Sequence, residues 1–395
     1  MKINAKALAF ILIFAFAAPF AFSADFGLIL DQGFTLADHD YLSYSVMALP
    51  WFAAPLGEKA DVYLSGGAGG EYEYGGWRPL YEVYRFELNW YLADGLRFSF
   101  GRQSFHDSLG LAMSGLFDGI SATIYAGGGI LNMGVFYTGL LYKKSASITL
   151  SANDQNSYNN SDSYFASRRL AGGVNWEKTS IFDSSTNFWL SGIYQVDLND
   201  ADVKIHSQYL AAKFGFPLGA SGNLDLGAMA ELAEETNKDP RAAFAAVADV
   251  QWLFAGGRTL SMLSAGGRFS SGGWADGIAV FTPLTGMSMG KVLRPNLSGI
   301  ALLQADYVLR VPGGLFLEFY SACLFRTDKA FFDAPGIDAS SDSSLLGGEV
   351  YLGCSWSPLS DLIFTLGGGV FLPGKAFDDS TAIKYRLEIT AGISL

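Results

Sequence analysis

Charge is scarce in this chain. Only 16% of its 395 residues are Asp, Glu, Lys or Arg, against about a quarter in ordinary globular domains. Long apolar runs are scarcer still. The single one, Ala7 to Phe22, follows Lys2 and Lys6 and leads to Ser23, the layout of a secretory signal peptide that would remove residues 1–23 on export. No later stretch has the roughly 20 apolar residues of a transmembrane helix. There are two cysteines, Cys323 and Cys354, which excludes a disulfide framework. Alternation sets them at different heights on apolar faces, which argues against a bridge. No cysteine lies near the cleavage point, which argues against a lipid-modified N-terminus. Three histidines without metal-ligand spacing leave no metal or cofactor to expect. Loss of Lys2 and Lys6 leaves 24 basic against 38 acidic residues, a net charge of −14, and this argues against nucleic acid as a partner.

What the chain does have is aromatic residues (15%), 47 glycines, and one repeated pattern. From residue 24 onward it alternates polar and apolar for 10 to 14 residues, turns, and alternates again. A large secreted β protein and a transmembrane barrel both fit the composition. The strand length favours the barrel, because sandwich strands are usually about half as long, whereas transmembrane strands meet lipid on one face and the lumen on the other. The final segment shows this best. Tyr385, Leu387, Ile389, Ala391, Ile393 and Leu395 share one face, and Lys384, Arg386, Glu388, Thr390, Gly392 and Ser394 the other.

The pattern predicts a single all-β domain over 24–395. It is an antiparallel up-and-down barrel of about 18 strands (16 to 20), with spans near 26–36, 41–52, 60–74, 79–92, 95–104, 116–127, 129–142, 166–177, 186–198, 203–216, 221–235, 241–255, 258–271, 296–310, 314–327, 343–357, 361–373 and 381–395. Connections after even-numbered segments are short, such as Ala93-Asp94-Gly95 and Pro312-Gly313-Gly314. The long ones, 143–165, 272–295 and 328–342, all follow odd-numbered segments. Short turns on one side and long loops on the other are expected of an outer-membrane barrel with periplasmic termini. Trp51, Trp90, Trp176, Trp252 and Trp356 fall near the ends of descending segments, which predicts an aromatic belt at one membrane interface. The C-terminal segment alternates to its last residue. It resembles the signal that the barrel-assembly machinery reads on bacterial outer-membrane proteins, with Leu395 in place of the common terminal aromatic. Outer-membrane lipid and that machinery are therefore expected partners, in an envelope of Gram-negative or spirochaete type.

Alternation directs mixed charge inward. The expected pore-lining set is Arg85, Glu87, Arg97, Asp306, Arg310, Glu318, Arg326, Glu349, Lys384, Arg386 and Glu388. Lys or Arg on the lipid face would cost roughly 2–4 kcal/mol at the midplane, and a barrel of this size encloses water. Such residues can line a passage or pair with one another and brace the wall.

The fourth to sixth segments contain Tyr84-Arg85-Phe86-Glu87, Gly101-Arg102-Gln103 and Phe117-Asp118-Gly119-Ile120. This stretch of about 40 residues resembles bacterial porins and alginate-export-like barrels. The resemblance implies an 18-strand channel. The mixed lumen here departs from the basic pore of the alginate-exporting members. Strict alternation turns Arg102 outward unless Gly101 makes a bulge.

The connection 272–295, with Trp274, Asp276, Phe281, Pro283 and Met287, is too apolar for a solvated loop. It is expected either to fold inward as a constriction or to add two strands. The Ser/Asn-rich stretch 143–165 reads as a surface loop. His106-Asp107 beside Ser104 is no basis for a triad, which depends on geometry rather than adjacency, and no enzyme is expected. The function expected is passive diffusion of small hydrophilic solutes or ions. The alternatives are transport of apolar ligands such as fatty acids, and a structural or adhesive barrel with an occluded lumen. A homotrimer is carried as an expectation without a residue set that demonstrates its interface.

Overall fold

The computed structural model describes residues 24–38, 41–181, 185–273, 278–329 and 335–395. Among them the chain forms eighteen antiparallel strands, the number the alternation predicts. They are β1 (Asp25–Ala37), β2 (Tyr41–Pro55), β3 (Ala60–Glu73), β4 (Gly76–Ala93), β5 (Leu96–His106), β6 (Ser114–Ala126), β7 (Gly129–Tyr137), β8 (Arg169–Ile181) and β9 (Thr186–Asp197). Then follow β10 (Ile205–Leu218), β11 (Gly222–Glu235), β12 (Arg241–Gly256), β13 (Thr259–Ser270), β14 (Ile300–Val311), β15 (Leu315–Arg326), β16 (Leu345–Leu359), β17 (Leu362–Pro373) and β18 (Lys384–Ser394). Each strand pairs with its sequence neighbours, and β1 closes on β18 from Ile29↔Ser394 to Ala37↔Arg386. Closure leaves no free sheet edge in the bilayer. No helix of the described residues is long and apolar enough to cross a membrane. The signal-peptide reading of 1–23 falls outside the described residues.

Alternation holds around the wall because the side-chain period of a strand is two. Leu303, Leu352, Leu366 and Ile389 stand exposed on the outer surface, a face stable only against lipid. Cys323 and Cys354 are free, in register with Gly348 and Leu317 respectively and so apart along the strands. After even-numbered strands the turns are tight. After β7, β13 and β15 the connections run long, and two of these do not remain outside the barrel.

Candidate functional site

Three segments fold inward from the same end of the barrel. The first is the tip of the β5–β6 hairpin. Pairing of β5 with β4 ends at Phe86↔Arg102, and pairing of β6 with β7 begins at Asp118↔Tyr137. Beyond those points the two strands pair only with each other, out to His106↔Ser114. The tip therefore leaves the wall and enters the lumen. Gly101, at φ +106°, sits at the departure, where a Cβ would strike the Phe86 carbonyl. The Asp107 carboxylate closes the turn by accepting the N–H groups of Leu109, Leu111, Ala112 and Met113 at 2.8–3.3 Å. The Ser108 N–H donates to Ser191 Oγ on β9 at 2.7 Å. Gly173 on β8 leaves room for the Phe105 ring, and Gly227 on β11 for Leu109.

Arg102 is buried at this departure point, against the outward position that strict alternation predicts. It makes a two-pronged pair with Asp118 (2.8 Å to each oxygen), meets Glu82 at 2.5 Å and donates to the Leu140 carbonyl. The correction comes from Gly101. Its left-handed backbone reorients the next side chain, as the suggested bulge would have done.

The second segment, 138–168, is only in part the surface loop its composition suggests: Asn156 and residues 159–162 are exposed, while its flanks fold inward. It forms α1 (Lys143–Ala146) and α2 (Ala152–Asn159) and buries Ile148 and Leu150. Ser151 and Asp154 make a capping box at the start of α2. Asp154 also ties the helix to the wall through Arg169, which meets Asp154 at 2.5 Å, Asp197 at 3.1 Å and Gln195 at 2.8 Å. All these groups are buried, so removing one partner would strand a charge at a cost of about 3–5 kcal/mol. At its edge Lys144 pairs with Glu71 and Glu73. Burial works against the Lys144 charge, but those carboxylates outweigh it and hold its pKa above the ordinary lysine value.

The third segment, 278–299, crosses the lumen and contributes isolated bridges rather than two further strands. Phe281, Pro283 and Leu284 are buried and Met287 is half-buried. Trp274 and Asp276 lie outside the described residues. Tyr209 donates to the Thr282 carbonyl at 2.6 Å, and the Thr282 N–H donates to Glu231 at 2.7 Å. Thr285 bonds Ala112 and Ser114 of the hairpin tip, and the Gly286 N–H donates to the Ser147 carbonyl. At the far wall Glu349 accepts three successive N–H groups, from Lys291 (2.6 Å), Val292 and Leu293 (3.1 Å each). The three segments thus share one apolar core inside the barrel.

Of the residues expected to line a pore, most pair with a neighbour on the same strand or the adjacent one. Arg85 bonds Glu87 and lies 4.9 Å above the Tyr63 ring. Arg97 donates to Thr123, Arg310 covers Phe316, Lys384 covers Phe377, and Arg386 meets Glu388 at 2.7 Å. Glu318 takes Lys291 as its partner, and Asp306 lies close by, in register with Tyr320. Three expectations need correction. Glu87, Arg326 and Glu349 point inward but are buried. Glu349 clamps the third segment, and Arg326 donates to the Ser341 and Ser343 carbonyls, so these two anchor chain segments instead of meeting a passage.

The inward segments leave one arc of wall uncovered. Of the inward residues on β18, β1 and β2, only Met47 is buried. The rest include Arg386, Glu388, Thr390, Thr35, Ser43 and Ser45. Arg294 of the third segment borders this arc, 3.7 Å from Glu388. The lumenal residues missed by sequence reasoning are Lys291, Arg294 and the hairpin tip. Gly101, Gly110 and Gly115, all at positive φ, are the local signal that could have found the tip.

Trp90, Trp176, Trp252 and Trp356 are exposed on the outer face. Trp51 departs from that set. Its indole stacks on Tyr63, beneath Arg85, on the inner face, because its parity follows Ser43 and Ser45. The His106 ring lies between Ser104 and Ser114, 2.7 Å from each, while Asp107 is occupied by backbone amides. Among the described residues no His, Cys, Asp and Glu cluster could hold a metal ion.

No family model matches the sequence, and no curated protein matches it. Solved structures do share its architecture. OprD of Pseudomonas aeruginosa is 12% identical with a TM-score of 0.57, covering 95% of this chain and 96% of that one. OccAB1 of Acinetobacter baumannii is 12% identical with a TM-score of 0.60, covering 96% and 98%. The outer membrane protein OpdK of Pseudomonas aeruginosa is 12% identical with a TM-score of 0.60, covering 95% and 99%. The likeness is one of fold: this chain is a closed antiparallel 18-strand barrel, the architecture of those outer-membrane proteins.

Proposed function

We propose that the protein is an outer-membrane channel for passive diffusion of small hydrophilic solutes or ions, through a passage displaced toward β18, β1 and β2. The observation that carries this reading is the contrast inside the wall. Most of the lumen is filled by apolar inward segments, while the β18–β1–β2 arc keeps polar and charged side chains in water. Aqueous pores discriminate by the charge and width of such a constriction. Reconstitution into planar bilayers tests the reading, with stable conductance proportional to salt concentration as the expected result. Silent bilayers would instead favour an occluded structural barrel, the reading that the shared apolar core supports.

The resemblance of β4–β6 to alginate-export-like barrels carries over no further than the barrel and its transport role. Arg102 is locked by Glu82 and Asp118, and Gln103 by backbone carbonyls and Ser121, which leaves neither free for an anionic polymer. Residues 1–23 act as a cleaved leader, and N-terminal sequencing of the mature protein should begin at Ala24. The alternating outer face of β18 serves as the assembly signal. The four exposed tryptophans form the interfacial belt. Cross-linking in native membranes tests the homotrimer.

A further inference from the structure

The cation best fixed on the third inward segment is Lys291. Its main-chain N–H donates to Glu349 together with those of Val292 and Leu293. Gly290, at φ +78°, permits the approach, since a Cβ there would collide with the Glu349 carboxylate. Glu349 is only 2% exposed, so this clamp lies out of water. The Lys291 side chain then lies over the Tyr320 and Tyr351 rings, 5.1 and 5.0 Å from their centroids, and ends on the Glu318 carboxylate. Here water returns: the side chains of Lys291 and Glu318 are 32% and 27% exposed. On the adjoining strand Asp306 has a carboxylate oxygen buried without a hydrogen-bond partner. Two carboxylates thus stand near one ammonium group, and the hydroxyl of Tyr351 beneath it donates to Glu388 on β18 at 3.3 Å, which sets the cluster at the margin of the uncovered arc.

We propose that Lys291 sets the charge selectivity of the passage and that Glu349 is its positioning residue. With Lys291 in place the Glu318–Asp306 pair is half neutralised. Without it the cluster is an unscreened anionic site that would concentrate cations. The rings of Tyr320 and Tyr351 favour a cation over their faces, and this keeps the ammonium at the cluster. The inference rests on the channel reading above and specifies the residue that tunes it.

The test is the reversal potential of the full-length barrel in a planar bilayer under a potassium chloride gradient. Lys291→Gln should raise the potassium-to-chloride permeability ratio about threefold or more, the weight of one unit charge several ångströms from a permeating ion in water. Lys291→Arg should hold it near the wild-type value, and Glu318→Gln should lower it. Glu349→Ala should move the ratio in the same direction as Lys291→Gln, and Glu349→Gln, which keeps an acceptor for the amides, should recover part of the shift. Heat-modifiable migration reports that each barrel is intact. A wild-type protein that does not conduct overturns the channel reading. A conducting barrel whose ratio is indifferent to Lys291→Gln overturns this inference, and indifference to both Glu349 variants removes the positioning role.

Discussion

The two halves of this wall are built from the same alternating strands, yet their inner faces have opposite fates. On β8 to β12 many inward positions toward the loop end are small, among them Ala171, Gly173, Ala211, Gly227, Ala243 and Ala245, and the larger ones, such as Arg169, Tyr209 and Glu231, are bonded to the inward segments or the wall. The side chains among them are buried, and the hairpin tip and the third segment lie against them. On β18, β1 and β2 the inward positions include Arg386, Glu388, Thr390, Thr35, Ser43 and Ser45, and of all the inward residues there only Met47 is buried. The difference teaches that a barrel lumen can be part core and part solvent. Close packing against Gly173 and Gly227 marks where another segment approaches, whereas an inward polar residue stays in water only where no segment covers it, since Arg169, Glu231 and Glu349 point inward and are buried.

The comparison breaks most decisively if the filling is removed. Replacing 278–297 with a short flexible linker should raise single-channel conductance severalfold, and unchanged conductance would mean that the segment does not bound the passage. Next in size, Phe281→Ala removes a fully buried ring from the shared core. It should destabilise the barrel by about 3–5 kcal/mol, read as a lower temperature of heat-modified gel migration. A Phe281→Ala barrel as heat-resistant as the wild type would count against a packed core in the lumen.

The glycines offer a paired contrast. Gly227→Leu on the covered arc drives a side chain into Leu109 and should cost about 1–3 kcal/mol. Gly33→Ala on the open arc meets only the Ser45 hydroxyl and should stay within about 0.5 kcal/mol. Equal effects in chemical unfolding would dissolve the distinction between the arcs. A small effect is also expected of Lys144→Ala. It loses a partly exposed pair with Glu71 and Glu73, worth up to about 1 kcal/mol, and should alter conductance through local charge more than it alters stability.

Much of the wall was legible in the sequence. Each strand declares itself by a period of two over its own residues, and the Gly- and Pro-rich turns lie between. The apolar character of Phe281, Pro283 and Met287 left an inward fold and two added strands both open, and Phe281 and Pro283 are buried in the structure. The filling was less legible. Gly101-Arg102-Gln103 reads as an ordinary part of β5, yet it is where the hairpin leaves the sheet. The Ser/Asn-rich stretch around α2 looks solvated and much of it is exposed, but Ser151 and Asp154 within it are buried in a capping box and against Arg169. Glu349 and Arg326 look like pore residues because alternation reports which way a side chain points and not what meets it there. Trp51 was assigned from its position along the strand, whereas its face followed from parity with Ser43 and Ser45.

The sequence by itself determined a closed barrel of about eighteen strands, the segregation of tight turns and long connections to opposite ends, and its mixed inner charge. Those features depend on local periodicity and on the lengths of connections, which neighbouring residues encode. Only the tertiary structure decided which inner faces stay wet. Burial at Gly227 depends on Leu109, and the placement of Lys291 depends on Glu349. Such contacts join residues far apart in the chain, and they exist only once the wall has closed around the segments that fill it.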